Sequence, residues 1–230
     1  MNKKILKIAI PYTIPVLLGY LSVGIAYGLL VVKSGLSIWV GLGMSVFLYA
    51  GAMQFVAISI LTGPISLVQV AAMTLFVNIR HLFYGLSFIE LFKAFGWRKQ
   101  YLIFGMTDET YSLLCGIAEK ENIETERLFF TIAALNQFYW ITGSLLGALV
   151  GNLITFDTTG IDFAMTALFV VIFVEQWLSA KSHLPALIGV ASALVALKWF
   201  GPSQMVLPAM IFMLVVLLSA KKKINVGGDV

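Results

Sequence analysis

ISLVQVAAMTLFVNIRHLFYGLSF, Ile65 to Phe88, sets an arginine and a histidine in the middle of an otherwise apolar segment. At the centre of a bilayer an arginine costs about 2.5–3.5 kcal/mol on insertion scales, so ionisable groups at that depth face a partner or a wet cavity and mark a transport pathway. What Arg80 and His81 face, within NIRHLFYG from Asn78 to Gly85, therefore decides what the chain is built to do.

Working outward, the composition excludes a soluble domain. Hydrophobic residues make up 60% of the 230 residues and charged ones 11%, against about 25% charged in soluble domains, and the apolar runs are long enough to span lipid. The expectation is an all-α, polytopic integral membrane helix bundle, one transport domain over residues 1–230, with about seven or eight membrane segments. The net charge of +4 collects at the ends, in Lys3, Lys4, Lys7 and Lys221, Lys222, Lys223. Basic residues anchor cytoplasmic termini there, and without aromatic interleaving they do not form a nucleic-acid surface. The apolar stretch behind the basic start is too long for a signal sequence and reads as an uncleaved first span.

Several chemistries are missing. A single cysteine, Cys115, permits neither an intrachain disulfide nor a cysteine metal site and reads as a packed thiol. No phosphate-cradling loop occurs, His81 and His183 lack the paired spacing of zinc hydrolases, and no serine sits in a nucleophile-elbow pattern. The chain reads as no enzyme, with no cofactor and no metal.

The first span, about Ile10 to Val32, carries Pro15, Gly19, Gly24 and Gly28. Small residues four apart let helices approach closely in lipid. The second, Ile38 to Leu61, holds SVFLYAGAMQF, where Gln54 serves either as interhelical glue or as a donor to a substrate. After Thr62, Gly63 and Pro64 comes the opening stretch, ending near Phe92, then a basic loop with Lys93, Arg98 and Lys99. The short fourth segment, Tyr101 to Ala118, centres on MTDETYS and supplies counter-charges. Asp108 lies near the middle of its segment, as Asn78 to His81 do in theirs, so paired helices bring acid and base to one depth and relieve their desolvation. Asp108 and Glu109 point about 100° apart on a helix, which leaves one to face Arg80 and the other to carry a proton. Glu119 to Arg127 reads as a solvated stretch. The fifth span, Leu128 to Leu153, repeats glycine at 143, 147 and 151, a packing face. A sixth runs from Ile161 to Leu178, and two shorter segments, about Leu184–Phe200 and Met205–Leu218, read as thin spans or a hairpin.

Both termini are basic and are expected in the cytoplasm, yet eight simple crossings would put Lys93, Arg98 and Lys99 outside. A segment interrupted by polar residues, such as Ile65 to Phe92, being broken or re-entrant removes the conflict. Such breaks are tolerated only where protein buries them or they line a cavity, and they are the usual construction of transporter sites.

An early proline–glycine span, then SVFLYAGAMQF, TLFVNIRHLFYG and TDETYS in that order, resembles the AzlC family, the large subunit of bacterial branched-chain amino acid exporters. The resemblance covers the chain from about Ile10 to the last span. It implies a permease of the inner, cytoplasmic membrane that exports leucine, isoleucine, valine and related apolar amino acids on the proton motive force. It also implies a small hydrophobic partner subunit of the AzlD type. By the same resemblance Gln54, Asn78, Arg80, His81, Thr107, Asp108 and Glu109 occupy the family's recurrent polar positions. A zwitterion with an apolar side chain suits them: Arg80 for the carboxylate, Asp108 or Glu109 for the ammonium group or the coupling proton. The alternatives are a channel subunit lined by the same residues, or an assembly subunit in which Arg80 and Asp108 pair only to select a partner helix.

Overall fold

The computed structural model describes residues 3–118, 125–153, 182–201 and 205–224, with 170, 173, 174, 177 and 178. All their regular structure is helical: α1 (Lys3–Lys33), α2 (Ile38–Gly43) running into a π-helical turn (Met44–Leu48), α3 (Gly51–Thr62), α4 (Leu67–Asn78), α5 (Arg80–Lys93), α6 (Arg98–Phe104), α7 (Asp108–Ala118), α8 (Thr125–Leu153), α9 (Leu184–Phe200) and α10 (Val206–Ile224). Contacts gather the chain into two compact units, Met1–Leu168 and Phe169–Val230.

The first unit is framed by α1 and α8, of 31 and 29 residues. At 1.5 Å per residue each exceeds the ~30 Å apolar core of a bilayer, and α1 is the described helix both long and apolar enough to cross it uninterrupted. They run parallel, with Gly24 on Gly143, Gly28 on Gly147 and Leu29 on Gly151. A Cβ on Gly147 would strike the Ile25 carbonyl, and one on Gly28 the Ser144 carbonyl. The glycines expected to form packing faces thus face each other, backbone on backbone.

Two segments expected as spans instead turn back halfway. From the far end of α1, α2 packs Gly41 against Val31, and the π-turn brings Ser45 to Ser144. The chain then breaks at Tyr49, which has left-handed backbone (φ 43°), and α3 begins at Gly51 against the Trp140 ring. The return is outward, because Phe55 meets Tyr27 rather than the start of α1 and Ile58 lies in the Tyr27–Val31 cluster. From the opposite end, α6 starts where Arg98 Nη1 bonds Glu126 Oε1 at 3.2 Å and climbs until Gly105 reaches Ala133. The chain breaks over Gly105–Thr107, and α7 descends, with Leu114 and Ile117 back in the cluster around Phe129, Ile5 and Ala9.

Each half-helix is short because its interruption is local chemistry. A bulky residue in left-handed backbone costs of order 1–3 kcal/mol, and the preceding π-turn reseats the hydrogen bonds so that Tyr49 N–H reaches the Met44 carbonyl at 2.9 Å. At the second break Thr107 Oγ1 accepts from Thr110 N–H at 3.3 Å, an N-cap that starts a new helix. The segment Ile65–Phe92 is interrupted more gently: Ile79 keeps helical angles (φ −57°, ψ −29°), so α4 and α5 continue one another. The re-entrant pieces are its two neighbours. Lys93, Arg98 and Lys99 consequently lie at the end where α1 begins, Arg98 paired with Glu126 at the start of α8.

Large apolar side chains lie on the described surface, Phe47 83% and Leu67 86% exposed, while the mainly apolar interior also encloses polar groups, with Gln54, Thr110 and Asn136 fully buried. An apolar surface of this kind suits helices solvated by lipid. In the second unit α9 and α10 form a helical hairpin joined past Gly201 (φ 71°), with Gly189 against Met213 Sδ. The sixth expected span, Ile161–Leu178, lies almost entirely outside the described residues, as do residues 119–124.

Candidate functional site

The two hairpin tips meet at half-length of α1 and α8. Tyr49 on one tip lies ring to ring with Phe104 on the other, centroids 6.1 Å apart. Gln137, close to the middle of α8, holds both hairpins: its Nε2 donates to the Val46 carbonyl at 3.0 Å and its Oε1 accepts from Tyr101 Oη at 2.6 Å.

At the start of α7, Tyr20 Oη donates to Glu109 Oε2 at 2.7 Å and lies 2.7 Å from Thr107 Oγ1. Thr107 Oγ1 is 3.0 Å from Thr110 Oγ1, which accepts from Asn136 Nδ2 at 2.9 Å. Glu109 is exposed, Asp108 half-buried, and Thr107, Thr110 and Asn136 are buried. Two polar atoms here have no partner: Tyr49 Oη and Asn136 Oδ1, on residues 3% and 0% exposed. Leaving a buried polar atom unpaired costs about 1–3 kcal/mol, so each calls for a ligand or a working state that satisfies it. Carboxylates in the first turn of α7 complement the helix dipole, while the N-terminus of α3 has no side-chain cap.

The expected residues fall into three groups. Thr107, Asp108 and Glu109 stand together at the tip. Asp108 Oδ1 accepts from Tyr84 Oη at 2.8 Å, and Tyr84 stacks on Tyr111 at 4.4 Å. Helix α5 therefore does meet the acidic tip, through a tyrosine one turn beyond Arg80, whose own side chain lies outside the described part. Asn78 and His81 are engaged locally: Asn78 Nδ2 donates to the Thr74 carbonyl at 3.0 Å and His81 Nδ1 lies 3.0 Å from the Asn78 carbonyl. Gln54 is engaged at both amide atoms, donating to Ser45 Oγ at 3.1 Å and accepting from Trp140 Nε1 at 2.9 Å, with Ser45 donating on to Ser144. In this conformation it holds α3 to the π-helical turn and to α8. Tyr20, Tyr49, Tyr84, Thr110, Asn136 and Gln137 received no role from the sequence, although the Thr107 cap followed by two acids is a legible helix start. Among the described residues no cluster of His, Cys, Asp and Glu could hold a metal ion.

Comparison with known proteins places this arrangement. The sequence profile of the AzlC protein family matches residues 15–154, which include both hairpins. A Helicobacter pylori 26695 membrane protein is 43% identical over 222 residues, 96% of this chain and 97% of its own length. The branched-chain amino acid transport protein AzlC of Bacillus subtilis 168 is 41% identical over 217 residues, 94% of this chain and 85% of its own. The inner membrane protein YgaZ of Escherichia coli K12 is 28% identical over 148 residues, 61% of this chain and 58% of its own. No solved structure matches the chain. With its profile match across the frame and both tips, and relatives that are membrane proteins over nearly its whole length, this chain is a membrane protein of the AzlC family.

Proposed function

We propose that the chain is the large subunit of a proton-coupled exporter of branched-chain and other apolar amino acids, working with a small hydrophobic AzlD-type subunit in the bacterial inner membrane. The observation that carries this reading is the meeting of two half-helix tips at mid-depth, one ending in an uncapped helix start and the other in Asp108 and Glu109. Half-helix ends at the midplane bind charged groups of substrates and coupling ions. A zwitterion fits between them: its carboxylate toward the N–H groups opening α3, beside the small residues Ala50, Gly51 and Ala52, its ammonium toward Asp108. Arg80 stands at the head of α5, one turn before Tyr84. Glu109 carries the coupling proton. The name of the B. subtilis relative supports the substrate class.

The topology in this reading has α1, α4–α5 and α8 crossing and the two hairpins dipping from opposite faces, with residues 1–230 as one transport domain. With the span expected over Ile161–Leu178 and with α9 and α10 as further crossings, Lys221–Lys223 fall on the cytoplasmic side, as Lys3, Lys4, Lys7 and Arg98 do. The test is efflux of preloaded labelled valine, leucine and methionine from cells co-expressing the chain and its small partner, with Asp108→Asn and an uncoupler. Uncoupler-sensitive efflux lost in the variant is expected. Unsaturable flux indifferent to the gradient would indicate a channel, and no efflux with both proteins in the membrane would sink the substrate assignment.

A further inference from the structure

We infer that the two hairpins are not equivalent gates: the α2–α3 tip is fastened to α8 as part of the frame, and the α6–α7 tip is the element that leaves α8 when the site opens. This deepens the export reading and rests on it for the transport assay alone. The difference lies in how each tip is bonded to α8, the helix that both share.

The first tip closes a circuit. Trp140 Nε1 donates to Gln54 Oε1 at 2.9 Å, Gln54 Nε2 to Ser45 Oγ at 3.1 Å, Ser45 Oγ to Ser144 Oγ at 2.9 Å, and Ser144 Oγ to the Trp140 carbonyl at 2.8 Å. The indole N–H can only donate, so it fixes which end of the Gln54 amide faces it, and the other end then has to donate onward. All four side chains are buried, and Tyr27 stacks on the Trp140 ring while meeting Phe55 of α3 edge-on. A buried network whose members are all paired rigidifies what it joins. Withdrawing this tip would break the circuit and strand neutral polar groups away from water, the costly way to lose a hydrogen bond.

The second tip is held by an open set of bonds. On α8 it has Tyr101 Oη to Gln137 Oε1 at 2.6 Å and Asn136 Nδ2 to Thr110 Oγ1 at 2.9 Å; on the α1 side Tyr20 reaches Thr107 and Glu109, the latter exposed. Among the described residues, both buried side-chain atoms that lack a partner border this tip, and neither belongs to the circuit around Trp140. Asn136 Oδ1 is on the amide that holds Thr110, and Tyr49 has its ring against Phe104 and its hydroxyl toward Tyr20 and Thr107. An interface with unpaired polar atoms loses less on separating than one that pairs them all, and separation admits the water or ligand that satisfies them. The moving tip is therefore the one that enters from the end of Lys93, Arg98 and Lys99, while the start of α3 stays where the frame holds it.

Reversible cross-links in the full chain test this. In a Cys115→Ser background co-expressed with the small partner, Gly105→Cys with Ala133→Cys ties the second tip to α8, since a Cβ on Gly105 would lie 3.6 Å from that of Ala133, inside the range of about 3.5–4.5 Å that disulfides adopt. Ser45→Cys with Ser144→Cys ties the first tip, in place of hydroxyls 2.9 Å apart. With closure scored by the loss of maleimide-reactive thiols, oxidising the second-tip pair should lower valine efflux about tenfold or more and reductant should restore it, whereas the oxidised first-tip pair should keep at least half the efflux of its reduced form. Efflux that survives the second-tip cross-link, or that falls equally under both, overturns this division of labour. Hydrogen exchange of the purified wild-type chain reads the same difference without transport: amides of residues 111–115 in α7 should exchange about tenfold or more faster than those of residues 54–58 in α3, and equal or reversed rates also overturn it. If exchange has the expected order but the wild type moves no branched-chain amino acid, the hairpin assignment stands and the export reading fails.

Discussion

Along α1 and α8 glycines at 24, 28, 143 and 147 bring backbone against backbone, whereas a few residues away the second hairpin tip meets the same two helices through hydroxyls, an amide and a carboxylate. At the first contact backbone touches backbone, and no rotamer is available to absorb a displacement. At the second, the links are side-chain hydrogen bonds between groups with rotatable hydroxyls, and two buried polar atoms lack a partner. A transporter needs both. A rigid seam gives the tips a fixed reference, and soft polar contacts let them rearrange around a ligand.

The sharpest way to break the contrast is at the seam. Overpacking costs about 1–3 kcal/mol even where neighbours can shift, and a Cβ on Gly147 meets the Ile25 backbone, so Gly147→Val should abolish folded protein in fluorescence-detected size-exclusion chromatography. A monodisperse peak at wild-type height would show that the seam can open. At the tips Glu109→Gln should leave that peak intact but lower uphill export about tenfold or more, the scale of a lost charge-assisted bond, and flatten the pH profile of valine efflux. A profile that keeps its pH dependence moves the coupling proton elsewhere. Gln137→Leu strips partners from the Val46 carbonyl and Tyr101 Oη, which should cost about 1–3 kcal/mol and lower Tm by a few degrees; an unchanged Tm would mean the amide does not join the hairpins. Tyr49→Phe deletes only an unpartnered hydroxyl, so Tm should hold or rise with about 1 kcal/mol of relief while export weakens, and full export would exclude that hydroxyl from the ligand site. Arg98→Ala, which breaks a half-exposed ion pair with Glu126, should change stability by about 1 kcal/mol or less in the same thermal assay.

Much of the frame was legible in the residues. Apolar run lengths defined the segments, and glycines at 24, 28, 143, 147 and 151 announced close packing, because that spacing has few other uses in lipid. The reversal of two helical segments was legible only indirectly, through the charges of Lys93, Arg98 and Lys99, since a helix that turns back has the same periodicity as one that continues. Polarity pointed to Ile65–Phe92 as the broken segment, but backbone chemistry favoured its neighbours, at Tyr49 with its left-handed turn and at Gly105–Thr107 with its cap. For the site, Thr107, Asp108 and Glu109 stood out because charge in an apolar run is conspicuous. Tyr20 and Thr110 did not, because tyrosines and threonines are ordinary in membrane helices, and only their distances to Glu109 and Asn136 give them a role.

The Gln137 bridge gangs the two hairpins like paired shutters on one rod. If either tip swings, its bond to this single amide pulls on the other, so opening toward one face of the membrane while the opposite tip stays put requires that the rod first let go at one end.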